Sequence, residues 1–338
     1  MSPRTAIAVR GFSLIELMVA ITLGLLLLLV MTQLMAQQSA ARAEIEKSGR
    51  QIENGRYAMS LLQEDIQLAG YFGQSGGMSG TVSAVPNPCE TGATAASLDA
   101  IRLAMVLPLQ GYDDSASPAG SLGGCLASGN LKSGTDVLVT RRTEAGNVVI
   151  SPSATVAGRI YVQATPAATM VGTGGTGAAA VFSLLRKDNA TPAELRRYVQ
   201  RLYFVSPCHV PASGGVCTAA ADNGRPIPTL KMLELTEAGF VVTSLVEGIE
   251  NLQFDYGIDR DGDGAPDDYE PIPSLAEWSN VMTVRVSLLA RALEPSAGHV
   301  DSRSYVLGDS TVSSPGDAYK RQAFSVAVRA VNLSGRRE

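Results

Sequence analysis

Two stretches of this chain carry residues whose types and spacing could do chemistry. The first is Asp259-Arg260-Asp261-Gly262-Asp263-Gly264-Ala265-Pro266-Asp267-Asp268-Tyr269-Glu270, whose spacing satisfies D-x-D-x-D-G-x5-E. Such a loop presents hard oxygens to a divalent cation. Asp259, Asp261 and Asp263 supply carboxylates, Gly264 the sharp turn, Ala265 a backbone carbonyl, Asp267 a direct or water-mediated contact and Glu270 two oxygens. Six carboxylates and one arginine give these twelve residues a net charge of −5, which is unfavourable without a counter-ion. Magnesium prefers fewer protein ligands, so the expected ion is calcium. A strand-like segment precedes the loop, and Pro266, Pro271 and Pro273 oppose a helix after it. The sequence therefore predicts a stapled loop and not an opening pair of helices; the bland alternative is a solvated acidic turn.

The second stretch is Gly11-Phe12-Ser13-Leu14-Ile15-Glu16, followed by an apolar run over residues 17–31. A secretory signal places its cleavage site after the apolar core. Here a basic leader ends in glycine before that core, so processing at Gly11 leaves the apolar helix on the mature chain. Residues 12–31 are about long enough to cross a ~30 Å hydrocarbon layer. Arg4 and Arg10 precede the run, so the positive-inside rule puts the N-terminus in the cytoplasm and the remainder outside. Glu16 is the anomaly, since a carboxylate at the centre of a membrane helix costs about 2.5–3.5 kcal/mol on insertion scales and needs a partner.

The elements that must position these residues follow from composition and periodicity. The chain has 338 residues and a net charge of −5; loss of Arg4 and Arg10 leaves 25 basic against 32 acidic residues, or −7. An acidic chain with 5% aromatics argues against a nucleic-acid surface. Ile45, Ile52, Met59 and Ile66 recur every seven residues, with Ser48, Gly55, Leu62 and Ala69 offset by three. This stripe predicts that the helix continues past the membrane with one narrow apolar face, as a coiled coil would also show, and Gly70 and Gly73 end it. Residues 75–135, rich in Gly, Ser, Ala and Pro, read as irregular. Strands are predicted near 136–140, 147–150, 159–163, 181–185, 195–205, 230–235, 240–246, 252–258, 282–289 and 324–331. The fold class is α+β: a long N-terminal membrane-spanning helix packed on a globular antiparallel sheet. The expected divisions are a leader (1–11), a membrane segment (12–35), its amphipathic extension (36–73) and a β-rich domain (74–338).

Four cysteines, Cys89, Cys125, Cys208 and Cys217, follow the membrane segment and allow three pairings. The short Pro-Gly loop between Cys208 and Cys217 favours that local pair, leaving Cys89 with Cys125; a zinc site is disfavoured by the lack of a C-x-x-C. Two further motifs carry little weight. Gly73-Gln74-Ser75-Gly76-Gly77 matches G-x-S-x-G, but a helix precedes it and only His209 and His299 are available as bases. Residues 172–177 match G-x-G-x-x-G, but the pattern does not suggest a strand leading into them. Trp278 reads as a core anchor and the two histidines as surface residues. No catalytic constellation or small-molecule substrate site is expected.

Gly11 through Glu16 and the apolar helix resemble the type IV pilin and pseudopilin family. The resemblance implies cleavage after Gly11 by a prepilin peptidase and N-methylation of Phe12. It also implies that Glu16 meets the N-terminal amine of a neighbouring subunit in a filament. The Gly70-Tyr71-Phe72-Gly73 segment, and Val246-Glu247-Gly248-Ile249-Glu250-Asn251-Leu252-Gln253-Phe254-Asp255-Tyr256 with Trp278, resemble PilW-type minor pilins and the related minor pseudopilin J of type II secretion. The implied function is priming of, and incorporation into, a type IV pilus that supports twitching motility and attachment. Partners would be other minor pilins and the major pilin, at the inner membrane and then the cell surface. A type II secretion pseudopilin and a pilus-tip adhesin are the alternatives.

Overall fold

The computed structural model describes residues 11, 13–75, 78, 80–113, 122–212 and 214–334. Two compact units are present, Met1–Gly49 and Arg50–Glu338. The first contains the N-terminal part of helix α1 (Leu14–Leu68). Its large apolar side chains between Leu14 and Met35 are 52–77% exposed among the described residues. Thr22 and Thr32 each donate their hydroxyl to the carbonyl three residues earlier (2.9 Å), which satisfies the polar groups inside this apolar segment. Ile45, expected in the buried stripe, is also exposed, because the stripe is covered only in the second unit.

In that unit α1 buries Gly55, Ala58, Met59, Leu62 and Ile66, and Ala69 just beyond it, much as the periodicity predicts. All but Gly55 join one core with residues from two antiparallel sheets. The larger sheet holds β1 (Leu109–Tyr112), β2 (Val137–Val149), β3 (Ile160–Ala164), β4 (Thr169–Thr173), β5 (Leu195–Ser206), β6 (Thr229–Thr236) and β7 (Gly239–Glu247). Its order is β1-β2-β5-β3-β4; β6 pairs with the later half of β5, and β7 with β6. The smaller sheet has the order β13-β10-β8-β9, from β8 (Ile249–Ile258), β9 (Asp268–Glu270), β10 (Val281–Arg291) and β13 (Arg321–Arg329). β11 (Tyr305–Leu307) and β12 (Ser310–Val312) form a separate hairpin.

Strand alternation explains the smaller sheet. Leu252, Phe254 and Tyr256 lie opposite Leu288, Val286 and Val284 on the core face, and these in turn oppose Phe324, Val326 and Val328. Trp278 is buried and meets the Tyr256 ring edge-on at 4.7 Å between centroids, the anchor the sequence suggested. The close approach of helix and sheet has a local cause. A Cβ on Gly55 would lie 2.3 Å from the Phe324 ring, so only glycine leaves room for it. Gln51 donates to the Ala290 carbonyl (2.7 Å) and Asn54 to the Glu247 carbonyl (3.0 Å). Gly70, at φ +79, turns the chain out of the helix.

Three expectations need correction. Residues 181–185 are not a strand: the preceding alanines form a helical turn, Ala178–Val181, and Phe182 inserts into a small core with Tyr161 and Leu195. The stretch read as irregular contains β1 and a helix α2 (Ala95–Ala104), capped by Thr94, whose hydroxyl accepts from the Ser97 N–H (3.1 Å). The strands predicted at 136–140 and 147–150 are one long β2.

Candidate functional site

At the N-terminus, Ser13 caps α1. Its hydroxyl accepts from the Ile15 N–H (3.2 Å), and Glu16 reaches back to accept the Ser13 N–H (3.1 Å). This reciprocal pair is a capping box, a role of Glu16 that the sequence reading missed although Ser-x-x-Glu is its signature. A carboxylate here also faces the positive end of the helix dipole. Gly11 is exposed, with open space around it. Phe12 and the leader lie outside the described residues.

Near the other end of α1, Asp65 is buried and holds the helix to the larger sheet. Arg142 Nε lies 2.8 Å and Arg201 Nη1 3.2 Å from its Oδ1, while Thr140 and Tyr203 donate hydroxyls to its Oδ2 at 2.8 and 2.9 Å. Burial, and the negative Asp65 beside it, push the Tyr203 phenol upward, so it remains a donor. Four partners for one carboxylate offset the cost of burying it. A second cluster centres on Arg321, which is buried and makes a two-pronged pair with Asp317 (2.6 and 2.7 Å), together with Glu250 and Asp301. The Arg321 hydrogen bonds pull the Asp317 carboxyl down to about 2.

The acidic loop connects β8 to β9 as a hairpin, with the strand before it that the sequence implied. Asp259 is fully buried; its two oxygens accept the N–H groups of Gly262 (2.6 Å) and Gly264 (3.3 Å), both at positive φ. Oxygens of Asp259, Asp261 and Asp267 lie within 4.8 Å of one another, close enough to share one cation. Asp267 also accepts the Arg260 N–H (2.7 Å). Asp263 stands outside that triad and accepts the Ala265 N–H (2.8 Å). Glu270 lies on β9, where the Arg260 guanidinium holds it, together with Glu277 at 3.0 Å. The structure thus gathers three of the expected ligands and pairs the sixth, Glu270, with an internal cation. The donor set left is all-oxygen and suits a hard cation.

Both disulfides have the expected partners, Cys89 with Cys125 and Cys208 with Cys217. Asp222 braces the second loop by accepting the N–H groups of His209 (2.9 Å), Val210 (2.7 Å) and Ile227 (2.8 Å). His209 and His299 are half-buried, and His209 lies 3.4 Å from Glu247. A strand does lead into the G-x-G-x-x-G segment, contrary to expectation. That strand, β4, is paired antiparallel to β3, and a Cβ on Gly174 would sit 2.4 Å from the Val156 carbonyl. These glycines serve close backbone packing, without the parallel crossover of a dinucleotide site. Gly76 and Gly77 of the G-x-S-x-G match lie outside the described residues.

Residues 217–332 match the family model for the type IV pilus-assembly protein W. This span runs through the acidic hairpin and the whole smaller sheet, beyond the stretch from Val246 to Trp278 that carries the resemblance. Residues 8–32 match the prokaryotic N-terminal methylation motif, covering Gly11, Phe12, Glu16 and the exposed apolar helix. No curated protein and no solved structure matches the chain. The methylation motif at one end and the pilus-assembly match at the other together support a PilW-type minor pilin of the type IV pilus.

Proposed function

We propose that this minor pilin is cleaved after Gly11, methylated on Phe12, primes assembly of a type IV pilus and is incorporated into it. The observation that carries the reading is the apolar start of α1, whose large apolar side chains from Leu14 to Met35 are exposed among the described residues. About twenty such residues require lipid before assembly and other apolar helices after it. Glu16 then exchanges its own capping bond for a neighbour's N-terminal amine, removing a buried charge from the filament core. The N-terminus is cytoplasmic and the Arg50–Glu338 unit periplasmic, then surface-exposed. Partners are other minor pilins, the major pilin and the prepilin peptidase. The role is structural, without turnover, nucleic acid or small-molecule substrate.

We further propose that the β8–β9 hairpin holds calcium through Asp259, Asp261 and Asp267. Their convergence supports this, and Glu270, taken by Arg260, is not needed as a ligand. A deletion strain tests the main reading. Loss of surface pili and twitching with secretion intact, restored by the wild-type gene and not by Glu16→Ala, is expected. Intact pili with failed protein secretion would transfer the chain to type II secretion.

A further inference from the structure

We propose that a cavity between β1, residues 85–87 and residues 272–278 binds a small molecule with an apolar body and one carboxylate, held by the Tyr112 hydroxyl. The cavity measures about 430 Å³, within the roughly 300–1,000 Å³ usual for small-molecule sites. Val85, Pro86, Ile272, Pro273, Tyr112 and Trp278 supply most of its walls. Among the described residues that line it, none carries a carboxylate, imidazole or thiol, and Tyr112 alone carries a hydroxyl. Such a cavity holds a molecule and does not turn it over.

The walls are braced from behind. Gln110 is fully buried, and its amide nitrogen donates to the Pro86 carbonyl (3.0 Å) and the Tyr112 oxygen (2.6 Å), which ties two walls together. Asn87 accepts the Cys89 N–H (3.0 Å) beside the disulfide to Cys125. Arg260 holds both Glu270 and Glu277, which bracket Ile272 and Pro273, and Glu277 also accepts the Ser274 N–H (3.2 Å). Trp278 is fixed against Tyr256. An apolar hollow kept open by polar braces is preorganised for a ligand.

A buried charge selects the carboxylate. Arg141 is fully buried, yet its guanidinium donates only to neutral oxygens: Gln200 Oε1 (3.1 Å), the Leu107 carbonyl (2.8 Å) and Gln110 Oε1 (2.8 Å). The other buried arginines have carboxylate partners, Arg142 in Asp65 and Arg321 in Glu250, Asp301 and Asp317. From Arg141 the hydrogen bonds run through the Gln110 amide to Tyr112, each donor directed away from the cation. Because Gln110 donates to the Tyr112 oxygen, the phenol hydrogen is left to donate, and among the described residues nothing accepts it. Burial pushes the Tyr112 phenol up, against the opposing pull of Arg141, so that hydrogen stays in place. A carboxylate at Tyr112 gives the chain of donors an acceptor and the unbalanced cation a counter-charge.

The test uses the full-length chain in detergent micelles with octanoate as the probe and its uncharged amide, octanamide, as the comparison. Free concentrations are corrected for uptake by empty micelles. Trp278 is the only tryptophan in the sequence, so its emission reports on the cavity wall. A saturable emission change with octanoate is expected, with octanamide at least tenfold weaker. Tyr112→Phe keeps the ring and should weaken octanoate at least tenfold while changing octanamide less. Val85→Asp sets a like charge on an exposed part of the wall and should also weaken octanoate at least tenfold. Formation of both disulfides verifies each variant; if one fails to fold, the other and the acid-to-amide ratio in wild type decide. No saturable response to octanoate, equal binding of acid and amide, or octanoate binding untouched by Tyr112→Phe and Val85→Asp overturns the proposal. None of these outcomes bears on piliation, so their failure leaves the pilus reading standing.

Discussion

Replacing Asp65 with alanine should be the most damaging single change to the helix–sheet junction. Its side chain is 3% exposed and its partner Arg142 10%, so the substitution strands a guanidinium with little water to solvate it. Arg142 would keep only a long contact to the Thr143 carbonyl (3.4 Å), and Thr140 and Tyr203 would lose their acceptor. Arg201 is less affected, because Glu234 still pairs with it at 2.8 Å. Removing one partner of a buried pair costs about 3–5 kcal/mol. At roughly 2–4 °C per kcal/mol for a domain of this size, the midpoint should fall by about 10 °C. Asp65→Asn keeps an acceptor for Thr140 and Tyr203 but loses the charge, so it should fall between alanine and wild type. Tyr203→Phe removes one hydrogen bond and should cost about 1 kcal/mol. Thermal unfolding of the Arg50–Glu338 unit, followed by near-ultraviolet circular dichroism, measures all three. An Asp65→Ala midpoint within about 2 °C of wild type would refute the view that this carboxylate pins the helix.

Three further outcomes are expected. Calcium at 100 times its dissociation constant should stabilise the domain by about 2.7 kcal/mol relative to chelator. Asp261→Ala should abolish that increment and Glu270→Gln leave it in place; an unchanged melt in calcium, with no binding heat, rejects the metal. Gly55→Ala gains about 1 kcal/mol of helix propensity but drives a Cβ into the Phe324 ring, an overpacking cost of about 1–3 kcal/mol. The midpoint should drop, and Phe324→Leu should restore it; a Gly55→Ala protein more stable than wild type contradicts the packing. For Asp317 the folded carboxyl, held by Arg321 at about 2, lies below its ordinary 3.8. Its stabilising contribution is therefore present above pH 4 and lost as the pH falls toward 2. Asp317→Asn should flatten the midpoint across that window, and a wild-type slope in the variant contradicts the pairing.

Features made of neighbouring residues were legible in the sequence. Gly11 through Glu16, the Gly55-Met59-Leu62-Ile66 stripe and the alternation in 252–258 and 282–289 each express a period or a junction within a few residues. The two disulfides followed from one short loop and elimination. What stayed hidden depends on distance along the chain. The role of Asp65 carries no local signal, because its partners Arg142 and Arg201 are 77 and 136 positions away. Glu270 fits the metal pattern by spacing, but the hairpin puts it on a strand beside Arg260, a geometry the helical version of the motif does not have. Helix α2 was masked by small residues, although Leu98, Ile101 and Met105 already trace one helical face. Residues 181–185 failed for the opposite reason: a short apolar run suggested a strand where one phenylalanine, Phe182, needed a pocket.

Mass spectrometry of sheared surface pili tests the central claim most directly. The account predicts a low-abundance peptide that begins at N-methylated Phe12 and carries Glu16, recovered with the filaments. Recovery of the chain only from the inner membrane, or with residues 1–11 still attached, would contradict it.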